Sequence, residues 1–231
     1  MEYKGKTQTE IIEMLASRLA GLTLENGTLR NENAALKAYI REELIAQKTQ
    51  IEELQQKLED AKKDPLSGIL MRRALEELQP LPIGTSYVMC DIDNFRQFNN
   101  EISHEAGDET IRIIGEAIRK IIAPAIREIL PRKSDYAIRY GGDEFLLIFP
   151  LCSSEVATKK CEELAEIIRS KEISGRKVTM SFGIYYNEDK KDLSPLDAAH
   201  FADMALKRSK ESGKNQISVY YGEEEGKSYG S

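Results

Sequence analysis

The sequence predicts an α+β fold, with a central, mostly antiparallel sheet flanked by helices and preceded by a long parallel coiled-coil helix. Three observations carry this reading. Leucines recur every seven residues near the start, a Gly-Gly pair separates two strand-like runs in the middle, and the helical and strand patterns follow the order αβααββαβαβ. A length of 231 residues accommodates one domain of ordinary size plus an extension.

Leu15, Leu22, Leu29 and Leu36 form one line of a seam, and Leu19, Asn26, Asn33 and Ile40, four residues further on, form the other. This is the a/d pattern of a leucine zipper. Asparagine at two successive a positions favours a parallel, in-register pair, because each amide can bond its twin across the axis. A solitary helix would have no use for the leucines. Gly21 and Gly27 lower helix propensity locally. Beyond Ile40 the seam resumes at Ile51, Leu54, Leu58 and Ala61, an eleven-residue step that breaks the heptad and unwinds the supercoil there. Pro65 disfavours helical geometry at Asp64. The expected organisation is therefore a coil over 1–63, a domain over 64–221, and a tail over 222–231 whose Gly, Glu and Ser content predicts disorder.

Within the domain, Ile69 to Leu78 reads as a helix closed by Pro80 and Pro82. Tyr87 to Ile92 reads as a strand, followed by a turn at Asp93 and a short helix through Phe95, Phe98 and Asn99. A longer helix carries Ile111, Ile114, Ile118, Ile121 and Ile122, with Asp108 placed to cap a start at Glu109. Ala123-Pro124 and Ala125 to Leu130 come next. An amphipathic helix from about Ser154 to Ser170 should turn Val156, Cys161, Leu164, Ala165 and Ile168 inward. The alternation of Val178 to Ile184 predicts a strand with one face half exposed. Ser194-Pro195 opens a helix, Gly213 stops it, and Gln216 to Tyr220 is the last strand.

The chemistry gathers around Arg139-Tyr140-Gly141-Gly142-Asp143-Glu144-Phe145. Tyr136-Ala137-Ile138 precede it and Leu146-Leu147-Ile148-Phe149 follow, so a β-hairpin is expected, with the glycines supplying positive φ. The second run is apolar without alternation, as in a central strand buried on both faces. Asp143 and Glu144 then sit at the sheet rim, where adjacent carboxylates are costly unless paired or metal-bound. Asp91-Ile92-Asp93 ends another apolar run. If the two strands are neighbours, Asp91 and Asp143 converge on an oxygen site for a hard divalent cation such as Mg²⁺. The first-turn N–H groups near Asn94, Phe95 and Arg96 would point at the same place, and they suit a triphosphate. For Gly-Gly-Asp alone, an ordinary hairpin with exposed acids is the plainer reading.

A net charge of -6 and a pI near 5.3 argue against a nucleic-acid-binding surface. No apolar run approaches a membrane span, and Met1-Glu2-Tyr3-Lys4 lacks the apolar core of a signal peptide, so a soluble, cytoplasmic protein is expected. Cys90, Cys152 and Cys161 are odd in number and lack CxxC spacing, which points to reduced packing residues.

From about Asp64 to Tyr221 the chain resembles the GGDEF-domain diguanylate cyclases, whose signature is Gly141 to Phe145. The family's companion motifs follow in order: Asp64-Pro65-Leu66-Ser67-Gly68, Asp91-Ile92-Asp93-Asn94-Phe95, His104-Glu105-Ala106-Gly107-Asp108, and Lys210-Glu211-Ser212-Gly213-Lys214-Asn215. Departures are Ser67 for Thr, Met71 for Asn, Arg96 for Lys, Asn100 for Asp and Lys214 for Arg. The resemblance implies the palm-like fold of nucleotide cyclases and polymerases. It implies two Mg²⁺, with Mn²⁺ an alternative, between Asp91, the Ile92 carbonyl, Asp143 and Glu144, with Asp91, Asp143 and Glu144 as the catalytic set. It further implies guanine read by Asn99 and Asp108, and triphosphate held at Asn94, Phe95, Arg96, Lys210 and Lys214. Arg132 and Asp135 fall where the family's inhibitory RxxD lies.

The implied activity is condensation of two GTP into cyclic di-GMP and two pyrophosphate across a homodimer of domains, without nucleic-acid or membrane partners. A carboxylate at Asp108 suits guanine, which offers two donors together, although a helix cap is its ordinary role. Two rivals stand beside this reading: a silent receptor that binds cyclic di-GMP at Arg132 and Asp135, and a cyclic dinucleotide synthase of mixed specificity. The intact Asp91, Asp143 and Glu144 speak against the first and Asp108 against the second.

Overall fold

Reciprocal capping starts the first helix. Thr7 N donates to Glu10 Oε2 at 2.7 Å and Glu10 N to Thr7 Oγ1 at 3.4 Å, and α1 runs on as Gln8–Ala61. The computed structural model describes residues 5, 7–122 and 135–221. The chain divides into two compact units, Met1–Leu58 and Glu59–Ser231. α1 buries no residue, and its seam leucines Leu15, Leu22, Leu29 and Leu36 stand about half exposed. Among the described residues, no helix is long and apolar enough to cross a membrane.

The second unit begins with a locked turn. Asp64 N bonds the Ile69 carbonyl at 2.7 Å, Gly68 N bonds the Asp64 carbonyl at 2.8 Å, and Gly68 takes the positive φ of +69° that this path needs. Then come β1 (Leu70–Met71), α2 (Arg73–Glu76), β2 (Thr85–Ile92), α3 (Phe95–Glu101) and α4 (His104–Ile122). After the undescribed stretch 123–134 follow β3 (Tyr136–Arg139), β4 (Glu144–Phe149) and α5 (Ser154–Arg169). The chain closes with β5 (Glu172–Ile173), β6 (Arg176–Lys177), β7 (Met180–Asn187), α6 (Pro195–Glu211) and β8 (Ile217–Tyr220).

Among the described residues, six strands make one sheet in the order β1-β3-β4-β2-β7-β8. The three central pairings are antiparallel and the two outer ones, β1 with β3 and β7 with β8, are parallel, so the sheet is mostly antiparallel as expected. Strand alternation sorts the core into two layers. Val88, Cys90, Phe145, Leu147 and Phe182 pack with Ile114 and Ile118 of α4 and Cys161 and Leu164 of α5. Tyr87, Met89, Leu146, Ile148 and Tyr185 pack on the other face against Leu75 and the alanines of α6. That helix approaches closely because Ala202 and Ala205 meet β7 at Gly183, where any Cβ would overlap the α6 backbone at Leu206 and Ala202.

Three local expectations need correction, and one element was missed. Leu70 and Met71 are not helical, because β3 offers them a parallel partner, and only one turn of helix follows. β7 is not half exposed, since α5 covers one face and α6 the other. Val156 is 47% exposed and Ala157 takes the inward place in α5. The β5–β6 hairpin was not anticipated, although Ser174 and Gly175 at φ of 50° and 76° form the two-residue turn that such a pair favours. The Ala125 to Leu130 stretch and the tail from Gly222 lie outside the described residues.

Candidate active site

The rim where β2 meets β4 gathers the acids. The strands run antiparallel with Cys90 opposite Phe145 and Asp91 opposite Glu144, and Ile92 N donates to the Asp143 carbonyl at 3.3 Å. Asp91 and Asp143 therefore line one cavity of about 630 Å³ with Ile92, Asn94, Phe95 and Arg96. Lys210 and Lys214 line it as well.

The turn between β3 and β4 is built differently from the expected one. Tyr140 N and Gly141 N both donate to the Glu144 carbonyl, at 2.9 and 3.2 Å, and neither Gly141 nor Gly142 has positive φ. Space is tight at Gly141. A Cβ there would stand 2.6 Å from Glu144 Oε2, whereas one on Gly142 meets nothing. Arg139 folds over the turn and donates from Nε and Nη2 to the Gly142 carbonyl, while its Nη1 reaches Asp64.

Asp93, the second acid of its cluster, does not line the site as a free carboxylate. It accepts from Thr179 Oγ1 and Ser181 Oγ, each at 2.6 Å, and from Asn215 N at 2.9 Å. These bonds fix the turn after α6, where Lys214 and Asn215 both adopt positive φ. Lys214 is thereby set with its Nζ 2.5 Å from Asn94 Oδ1. Asn94 itself is left-handed at φ 57°, a conformation asparagine tolerates, and it opens α3. Sequence reasoning missed this anchoring role. The available signal was Thr179 and Ser181 two residues apart on one strand face.

A second cavity of about 410 Å³ adjoins the first, sharing Phe95, Arg96, Asn100 and Asp143 with it. Asn99, His104 and Asp108 line it. Asn99 Oδ1 is buried and has no hydrogen-bond partner among the described residues, which is costly without a ligand. Gly107 makes room for it, because a Cβ there would overlap Asn99 Oδ1. Asp108 is not a helix cap. α4 starts at His104, with Ser103 Oγ accepting from Ala106 N at 3.2 Å, so Asp108 lies beyond the first turn and its side chain is exposed.

Electrostatics set the tone of the larger cavity. Burial pushes the Asp91 carboxyl up to about 6; the Lys210 ammonium opposes this, and the charges of Asp143 and Glu144 add to it. Lys210 Nζ stands 2.8 Å from Asp91 Oδ2. Among the described residues, no three His, Cys, Asp or Glu side chains are grouped closely enough to chelate an ion as they stand. The donors nonetheless fit a hard divalent cation in kind, being carboxylate and carbonyl oxygens with an excess of negative charge. Arg132 lies outside the described residues. Asp135 is described, and Lys160 Nζ pairs with it at 3.5 Å.

The family model described as "Diguanylate cyclase, GGDEF domain" matches residues 61–216. The chain belongs to that family. It is 34% identical over 139 residues to diguanylate cyclase A of Treponema denticola, covering 58% of this chain and 34% of that protein. It is 28% identical over 179 residues to diguanylate cyclase DgcM of Escherichia coli K12, covering 73% of this chain and 41% of the relative. The coiled coil and GGDEF domain of DgcB from Caulobacter crescentus, solved in complex with c-di-GMP, is similar at a TM-score of 0.62 and 27% identity. That match covers 80% of this chain and 98% of the other. The chain spans between about a fifth and about half the length of the curated relatives it matches.

Proposed function

We propose that the protein is a diguanylate cyclase that joins two GTP into cyclic di-GMP, each domain of a homodimer contributing one bound substrate. Two adjoining cavities with opposite equipment carry this reading. One presents paired acids and two lysines, and the other presents an unbonded amide oxygen beside an exposed carboxylate. In the second, Asn99 and Asp108 read guanine, whose N1–H and exocyclic amine supply the donors that these oxygens lack. In the first, Asn94, Phe95, Arg96, Lys210 and Lys214 take the triphosphate.

Asp91, the Ile92 carbonyl, Asp143 and Glu144 would hold Mg²⁺, or Mn²⁺ in its place. When bound, it would polarise the α-phosphate and offset charge on the departing group. The chain's own contribution is orientation. It holds base and phosphates in adjoining cavities, so that each ribose 3′-oxygen can face the partner's α-phosphorus. Two P–O bonds form, two bonds to pyrophosphate break, and each hydroxyl gives up its proton.

One domain holds one substrate, so the two-fold product requires two copies. The exposed leucine seam of α1, with Asn26 and Asn33 in register, is the surface proposed to pair with a second copy. Arg132 and Asp135 are proposed as the inhibitory product site. Incubating the protein with GTP and Mg²⁺ and weighing the products by mass spectrometry tests the reading. Cyclic di-GMP from the parent and none from Asp143→Asn are expected; parent protein that leaves GTP intact would overturn the proposal.

A further inference from the structure

Both lysines of the larger cavity rest on oxygens of the site itself. Lys210 Nζ lies 2.8 Å from Asp91 Oδ2, and Lys214 Nζ lies 2.5 Å from Asn94 Oδ1. The first contact joins side chains that are 36% and 10% exposed, so it is neither an open surface pair nor sealed from solvent. Asp143 faces the same cavity, and Glu144 stands opposite Asp91 in the strand register. Lys210 therefore supplies, at an Asp91 oxygen, the positive charge that this acidic rim calls for. A divalent cation and an ammonium cannot share that oxygen without strong repulsion.

We propose that Lys210 is a placeholder cation: in the metal-free protein it occupies the Asp91 oxygen that a divalent ion takes, and metal binding releases it toward the phosphates of the nucleotide. The inference rests on reading the site as a metal-dependent nucleotide site. It assigns Lys210 opposite effects on two ligands, opposing the metal when nucleotide is absent and favouring the nucleotide when metal is present. Lys214 lies in the same cavity on an amide oxygen, so it contributes charge without competing for a ligand atom.

The test uses the full chain and Mg²⁺ alone, titrated by calorimetry. Lys210→Met and Lys210→Gln are expected to bind Mg²⁺ roughly five- to tenfold more tightly than the parent, the scale of a partly exposed charge-assisted hydrogen bond. Lys210→Arg should match the parent, and Lys214→Met should change affinity by under about twofold, as expected for screened charge without contact. With Mg²⁺ present, both neutral Lys210 variants should bind a non-hydrolysable GTP analogue more weakly.

One measurement needs no variant. Mg²⁺ should raise the acylation rate of Lys210 relative to Lys214 in the parent, read by mass spectrometry. Unchanged acylation, or Mg²⁺ binding no tighter in the neutral Lys210 variants, would overturn the placeholder while leaving the metal-dependent reading intact. Equal tightening in Lys214→Met would overturn it as generic charge. No Mg²⁺ binding in any protein, the parent included, would overturn both.

Discussion

Arg139 Nη1 lies 2.9 Å from Asp64 Oδ1 across 75 residues of chain, and the same guanidinium donates to the Gly142 carbonyl at 3.2 and 2.7 Å. One side chain thus ties the residue that follows the Lys62-Lys63 pair to the turn that carries Asp143. Both partners are mostly buried, at 17% and 16% side-chain exposure. Ser67 donates to the same carboxylate through N and Oγ, so the serine that replaces the family's threonine supplies the equivalent hydroxyl. Arg72 stacks over the Tyr140 ring at 4.3 Å and adds a second hold on the turn.

Asp64 gives the site a pH dependence. Burial works to raise its pKa, but the bonds from Ser67 and Arg139 outweigh that effect and leave it lowered. A carboxylate lowered in the folded state adds stability above its unfolded pKa, and that stability is lost as pH falls through the folded value. Asp64→Asn is expected to cost about 1–3 kcal/mol near pH 7. The cost should be smaller at acid pH, as the parent carboxyl protonates on passing through its lowered folded value. Urea denaturation at the two pH values measures both numbers; a cost equal at both would assign the role to shape rather than charge.

Gly107 is predicted to control base binding through Asn99. Gly107→Ala should gain up to about 1 kcal/mol of helix propensity, yet its Cβ displaces the Asn99 amide. Expected are roughly tenfold weaker GTP binding and little change for ATP, since adenine lacks the donor pair that these oxygens accept. Competition binding decides it. Unaltered GTP affinity would remove Asn99 from base recognition.

The contact between α6 and the sheet should be intolerant of any side chain at Gly183. Gly183→Ala sets a methyl group against the α6 backbone rather than a movable side chain, so a loss of about 3 kcal/mol or more is expected. Thermal unfolding reads it directly. A loss under about 1 kcal/mol would mean that α6 can shift on the sheet at little cost.

Within α1, the eleven-residue step from Ile40 to Ile51 offers alternative seam phases. Inserting three or four residues before Ile51 should change the rate of cyclic di-GMP synthesis without breaking a dimer, whereas seven restores phase and should not. Light scattering and product formation are measured together on all three. Equal rates in every dimeric variant would make the coil a passive tether. Cutting at Asp64 should make activity steeply dependent on protein concentration, because a zipper supplies an effective concentration in the roughly millimolar range.

Much of this protein is determined by local sequence. The heptads specify α1, the non-alternating Leu146 to Phe149 specifies a strand buried on both faces, and Ser194-Pro195 and Gly213 bound α6. The acidic ends of two strand-like runs pointed to a shared rim, and Asp91 and Glu144 are indeed paired across β2 and β4. These features follow from periodicity, capping and strand length, all of which act within a few residues.

What only the tertiary structure decided are the uses that depend on distant partners. Leu70 and Met71 became a strand because β3 lay alongside, and β7 lost its exposed face because two helices covered it. Asp93, two residues from Asp91 and of the same type, became an anchor because Thr179, Ser181 and Asn215 N surround it, while Asp91 faces Lys210. Nothing local distinguishes the two aspartates. Gly107, Gly141 and Gly183 matter for the atoms that occupy the place of a Cβ, and those atoms belong in part to elements brought together by the fold.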